Sequence, residues 1–199
     1  MSAGTGSPPP RVLVDVFART RIHDGALVLG AALFTALLAQ VAISVPGSPV
    51  PITGQTLAVV FTAAALGPVR GMTGQLAYLL LGMVGLPFFS KGASGWAPVI
   101  GPTGGYLVGF IPAALLVGLA ARHGFDRVPW KAVPLFFAGQ LVILAIGVPW
   151  LCVAAGLDFS TALQKGFLPF LPGGLLKAVV AGLGMFLAWR LVRLPATQT

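Results

Sequence analysis

The chain has 199 residues, of which 57% are hydrophobic and 8% charged, and its net charge is +8. Soluble domains carry about 25% charged residues, so this composition excludes an ordinary soluble fold and points to an integral membrane protein. The basic residues stand singly between apolar runs without forming a patch or stripe, which argues against nucleic-acid binding and for charge placed by membrane topology.

Residues 1–10 are rich in Ser, Gly and Pro and lack the apolar core of a signal peptide, so they read as a flexible tail. Arg11 to Asp24 mixes Arg11, Arg19 and Arg21 with apolar side chains and reads as a short interfacial segment, making 1–24 a cytoplasmic extension. No charge occurs from Gly25 to Val69, and Pro46, Pro49 and Pro51 divide this run into two spans, about Gly25 to Val45 and about Gly54 to Gly67. The second is short, because ~14 residues at 1.5 Å rise cover only ~21 Å of a hydrocarbon core near 30 Å. Its Pro/Thr/Gln-rich entry is therefore expected at membrane depth, facing protein or a water-filled cavity.

A third span runs from Gly71 to Leu86, and Pro87 to Thr103 follows as a Gly-rich loop of the kind that serves as a lid. Gly101-Pro102-Thr103-Gly104-Gly105-Tyr106 then turns directly into a fourth span, Gly104 to Ala121, closed by a basic turn. Ala132 to about Ala155 is the fifth span, Asp158 to Leu171 is a loop, and about Pro172 to Leu191 is the sixth. The expected fold is thus an all-α integral membrane protein with six transmembrane helices in one bundle over 25–193, with a cytoplasmic tail at 194–199. Six spans put both termini on one side, together with Arg11, Arg19, Arg21, Arg70, Arg122, Arg127, Lys131, Arg190 and Arg193. Lys91, Lys165 and Lys177 remain for the other side, so the positive-inside rule places both termini of this multi-pass cell-membrane protein in the cytoplasm.

The sequence has no Glu, and its four Asp residues fall in expected loops or flanks, which argues against a self-powered ion-coupled pump. A nucleotide-binding Gly-rich loop, a nucleophile elbow and a spaced set of metal ligands are all missing, so neither an enzyme nor a metal protein is expected. His23 and His123 read as interfacial residues and Cys152 as a packed thiol.

Polar residues cluster instead on the outer half: Thr53, Gln55 and Thr56 at the start of span two, Gln75 and Tyr78 in span three, Lys91, Trp96 and Tyr106 around the loop, and Lys177 in span six. Lys177 either snorkels outward or pairs with an anionic ligand. Gln55 and Gln75 either join helices by hydrogen bonds or face a ligand, and Tyr78, Trp96 and Tyr106 either sit in an interfacial belt or wall a pocket. Ala32 and Ala36 form a small-residue stripe on span one, suited to close helix approach within the chain or by a partner.

Four ordered stretches carry a resemblance: Pro51-Ile52-Thr53-Gly54-Gln55-Thr56-Leu57, Tyr78-Leu79-Leu80-Leu81-Gly82 through Gly85-Leu86-Pro87, Gly101 to Leu107, and Leu168-Pro169-Phe170-Leu171-Pro172-Gly173 through Lys177. With them the chain resembles the biotin-specific substrate-binding S components (BioY family) of energy-coupling factor transporters, over roughly Asp24 to Arg193. The resemblance implies six helices, cytosolic termini, and an outward-facing biotin pocket without a cofactor. It also implies that Ala32 and Ala36 dock a transmembrane T component driven by two ATP-binding cassette ATPases. The family motif usually carries an Asp, expected to bind the ureido ring, where this chain has Gly174; Lys177, three residues on, is retained. A carboxylate would meet Lys177 or Lys91, with Tyr78, Trp96 and Phe88 as walls and Gln55 and Thr53 as polar partners. Another small vitamin-like carboxylate as ligand, or a membrane scaffold role, are the alternative readings.

Overall fold

The computed structural model describes residues 12–16 and 21–193. The expected tails at 1–10 and 194–199, with Arg11 and Arg19, lie outside the described residues, as do the side chains of Arg21 and Arg193.

The described chain is mostly helical. Helix α1 (Arg21–Ala39) leads into strands β1 (Ala42–Ile43) and β2 (Ile52–Thr53), which pair antiparallel with Ala42 opposite Thr53 and Ile43 opposite Ile52. Then come α2 (Gln55–Leu66), α3 (Pro68–Met83), a one-turn α4 (Ala97–Ile100), α5 (Gly104–Arg122), α6 (Pro129–Ala155), α7 (Phe159–Gly166) and α8 (Phe170–Arg193). Among the described residues, four stretches are long and apolar enough to cross a membrane: Ile22–Ala39, Gly104–Arg122, Pro129–Ala155 and Phe170–Val192. The expected second and third spans are shorter, with 12 residues in α2 and 16 in α3. At 1.5 Å per residue they reach about 18 Å and 24 Å, less than a hydrocarbon core of about 30 Å.

Three expectations change in detail. The first span stops at Ala39 instead of Val45, because the chain turns into the hairpin, so the fold is not purely α. The loop expected at Asp158 to Leu171 contains α7, whose N-cap Asp158 accepts the Thr161 N–H at 3.0 Å. The Thr161 hydroxyl, and after it the Thr161 N–H, hold the Asp158 carboxyl below its ordinary pKa by hydrogen bonding. Helix α8 begins at Phe170, ahead of the expected Pro172, since a proline in the first turn removes no hydrogen bond the helix would make there.

Glycines set the closest helix contacts. A Cβ added at Gly105 would overlap Trp150, one at Gly147 would overlap the Tyr106 ring, and one at Gly109 would lie 3.1 Å from Ile143 Cα, so these glycines let α5 and α6 pack closely. Helix α1 packs on α2 and α3, and the small-residue stripe lies inside that packing: Ala32 is 0% and Ala36 7% exposed. The face that α1 turns outward carries Ile22, Leu29, Leu33 and Leu37. The stripe expected to dock a partner is therefore covered by the chain's own helices.

At the basic end of the bundle, Arg70 Nε donates to Asp24 at 2.8 Å and its Nη1 lies 3.7 Å from Asp15, tying the 3-10 turn Leu13–Val16 to α1 and α3. Asp126, in the basic turn after α5, is fully buried and accepts the Trp189 indole N–H at 2.7 Å. Arg127 stacks on the same indole at 4.8 Å.

Candidate functional site

The hairpin and the loop between α3 and α5 meet the middle of the bundle around a cavity. Ligand cavities are mostly apolar with a few convergent polar groups, and this one follows that pattern. Val50, Tyr106, Phe110, Ile143, Leu144 and Phe170 contribute much of the apolar wall, while Thr53, Gln55, Thr56, Gln140 and Lys177 are polar.

The polar side begins at the hairpin. Gly54 lets β2 run against α1, for a Cβ there would lie 2.7 Å from the Leu38 carbonyl oxygen, and its N–H donates to Val41 at 3.0 Å. This seats Thr53 and the first turn of α2 opposite α8. Lys177 Nζ reaches across to donate to the Thr53 carbonyl at 2.9 Å and to Thr56 Oγ1 at 2.8 Å. With two of its three N–H groups used, the ammonium keeps one for the cavity.

Two polar chains run from this cluster, and each ends on a backbone carbonyl that sets its direction. In the first, Tyr78 Oη donates to Phe88 O at 3.2 Å, so it accepts from Gln55 Nε2, and Gln55 Oε1 accepts from Thr53 Oγ1 at 2.7 Å. In the second, Gln140 Nε2 donates to Gly174 O at 2.6 Å, and its Oε1 accepts from Thr56 Oγ1 at 3.2 Å. Flipping the Gln140 amide would set two carbonyl oxygens against each other at Gly174, so geometry alone fixes its orientation.

Of the residues expected at the site, Thr53, Gln55, Tyr106, Gly174 and Lys177 line this cavity. Tyr78 stands behind it, fully buried, stacked on Phe88 at 6.2 Å and edge-on to Phe89 at 5.6 Å. Tyr106 donates to Gly166 O at 2.9 Å and stacks on Phe170 at 6.0 Å, so it joins the wall to α7. Gln75 is elsewhere: buried between helices, it bonds Thr35 at 3.3 Å and Thr62 at 3.4 Å. Trp96 points away and is 65% exposed. Lys91 borders an outer recess, where its Nζ donates to Ser44 at 2.8 Å; Phe89, Ser90, Pro98 and Thr103 line both recess and cavity.

The expected lid is a tied loop. Gln40 Oε1 accepts the Gly92 N–H at 2.9 Å and Gln40 Nε2 donates to Phe89 O at 3.3 Å, which holds Lys91 in the left-handed region at φ 59°. Trp150 Nε1 donates to Gly101 O at 2.9 Å, and Thr103 Oγ1 to Pro98 O at 2.7 Å, so the Gly101-Pro102-Thr103 turn is anchored as well.

Gln140 was not among the expected site residues. Its signal was present, since an amide inside the apolar run of α6 is unfavourable in a bilayer unless it has partners or a use. Phe110, Phe137 and Phe170 also line the cavity, but in a chain with 13 Phe nothing in the sequence distinguishes them from lipid-facing ones.

Comparison with known proteins shows the family and the fold. The model of the BioY family matches residues 13–194. The biotin transporter BioY2 of Lactococcus lactis subsp. cremoris is 37% identical over 164 residues, covering 81% of this chain and 87% of that protein. The biotin transporter BioY of Thermotoga maritima is 40% identical over 157 residues, covering 78% and 91%. A crystal structure of the S-component for biotin from an ECF-type ABC transporter superposes with a TM-score of 0.79 at 23% identity, covering 87% of this chain and 95% of that one, and shares the fold.

Proposed function

The chain belongs to the BioY family, and from that premise we propose that it is a membrane subunit that captures biotin from outside and delivers it inward, a transport protein and not an enzyme. The observation that carries this reading is Lys177, an ammonium held inside an otherwise largely apolar cavity by two oxygens with one N–H to spare. Biotin combines a fused bicyclic ring, whose urea presents N–H and C=O edges, with an apolar chain and a carboxylate. Thr53, Gln55, Gly174 and Lys177 meet its polar atoms and Tyr106 its apolar body, with Tyr78 supporting Gln55 from behind and Lys91 at the outer rim.

In this reading α2 and α3, each shorter than the bilayer, complete six spans together with the hairpin, which sits at membrane depth beside the cavity. Both termini then face the cytoplasm with the basic ends of the helices. The chain lacks a nucleotide-binding loop, so delivery draws on a transmembrane T component and two ATP-binding cassette ATPases. Equilibrium binding of radiolabelled biotin to the purified protein in detergent tests the proposal: saturable binding displaced by unlabelled biotin is expected, and none would remove it.

A further inference from the structure

Gln140 presents a fixed edge to the cavity. One of its two amide N–H groups is spent on Gly174 O and one lone pair of its oxygen on Thr56 Oγ1, leaving one donor and one acceptor. Thr56 also accepts from Lys177, so a single hydroxyl joins the amide to the ammonium and puts the free lysine N–H at the same end of the cavity. Gly174 makes room for this arrangement, since a Cβ there would press on Gln140 Oε1 at 3.2 Å. Gln140 is 4% exposed, so whatever meets its free edge is bound in the cavity and not in bulk solvent.

Three unmet valences therefore converge: two donors and an acceptor. A head group with a C=O beside an N–H, such as a cyclic urea or lactam, meets all three. A carboxylate meets only the donors and sets its charge against Gln140 Oε1. A cationic head is repelled by Lys177, which has no carboxylate among the residues lining the cavity to offset it.

We propose that Gln140 is a specificity-determining residue that reads the neutral urea edge of the ligand at the Lys177 end of the cavity, where this chain has Gly174. This rests on the biotin reading above, and the test separates the two. Binding of biotin and of 2-iminobiotin, whose ring guanidinium is cationic at neutral pH, is measured on the wild type, Gln140→Glu and Gln140→Leu, with thermal unfolding in detergent as the folding control. The wild type should prefer biotin by about 100-fold, as expected where like charges meet. Gln140→Glu should shrink that preference at least about tenfold by pairing with the cation, and Gln140→Leu should weaken biotin about tenfold. Folded variants that keep the wild-type preference and affinity would overturn the proposal while leaving biotin binding intact. Equal binding of the two ligands by the wild type would overturn it even if neither variant folded. A wild type that binds neither ligand would remove both readings.

Discussion

Lys177 on α8 and Thr56 on α2 are joined at 2.8 Å, although 121 residues separate them in the chain. This contact closes the polar end of the cavity and brings the hairpin, α2, α6 and α8 to one point.

Replacing Lys177 with Met should keep the fold, because a buried charge is exchanged for apolar volume. Biotin affinity should nevertheless fall by about 2 kcal/mol or more, roughly thirtyfold, through loss of the cavity's one ammonium. Radioligand titration alongside thermal unfolding measures both quantities. Unchanged affinity would leave Lys177 only a tie between α8 and the hairpin.

Gln40→Ala should free the 87–92 loop, because the amide that holds Phe89 O and the Gly92 N–H is gone while the left-handed strain at Lys91 remains. Trypsin should then cut after Lys91 faster than in the wild type, and saturating biotin should slow cleavage of the wild type. Identical digestion time courses with and without ligand would separate the loop from binding.

Gly147→Ala should push the Tyr106 ring from its seat, since the added methyl has no other space. Overpacking of this kind costs about 1–3 kcal/mol. The unfolding temperature should drop, and biotin affinity should fall with it because Tyr106 lines the cavity and is tied to Gly166. A variant as stable as the wild type would show that α5 and α6 can separate freely.

Ala32→Trp should destabilise the subunit by about 1–3 kcal/mol or more and reduce biotin binding with it, because Ala32 is completely enclosed. Leu33→Trp, on the outward face of the same helix, should change neither. Size-exclusion profiles and ligand binding of the two proteins distinguish them, and a well-folded Ala32→Trp would mean that the stripe opens to the surface.

Hydropathy and prolines made much of the architecture legible. The uncharged runs correspond to helices, and the Pro46, Pro49 and Pro51 cluster marks the hairpin, which an absence of charge alone does not separate from the spans on either side. Helix α7 was readable from Asp158 as an N-cap but is too short and too polar to register as a span. The site divided along a similar line. Thr53, Gln55 and Lys177 stood out because polar groups at membrane depth need a reason. Gln75 stood out equally and proves to satisfy Thr35 and Thr62, since the cost of burying an amide is the same whether its partner is a helix or a ligand. Which side of α1 carries Ala32 and Ala36 depends on where α2 and α3 settle, and small residues suit an inner or an outer seam alike.

The glycine seam between α5 and α6 limits how anything enters. At Gly105, Gly109 and Gly147 there is no room for even one more methyl group, so that side of the wall is closely packed and resists being opened. Entry is expected instead between the proline hairpin and the 87–103 loop, whose Pro51, Phe89, Ser90, Pro98 and Thr103 line both the cavity and the outer recess. The contacts there are side-chain hydrogen bonds, from Gln40 to Phe89 O and the Gly92 N–H and from Lys91 to Ser44, which can break without unpacking any helix.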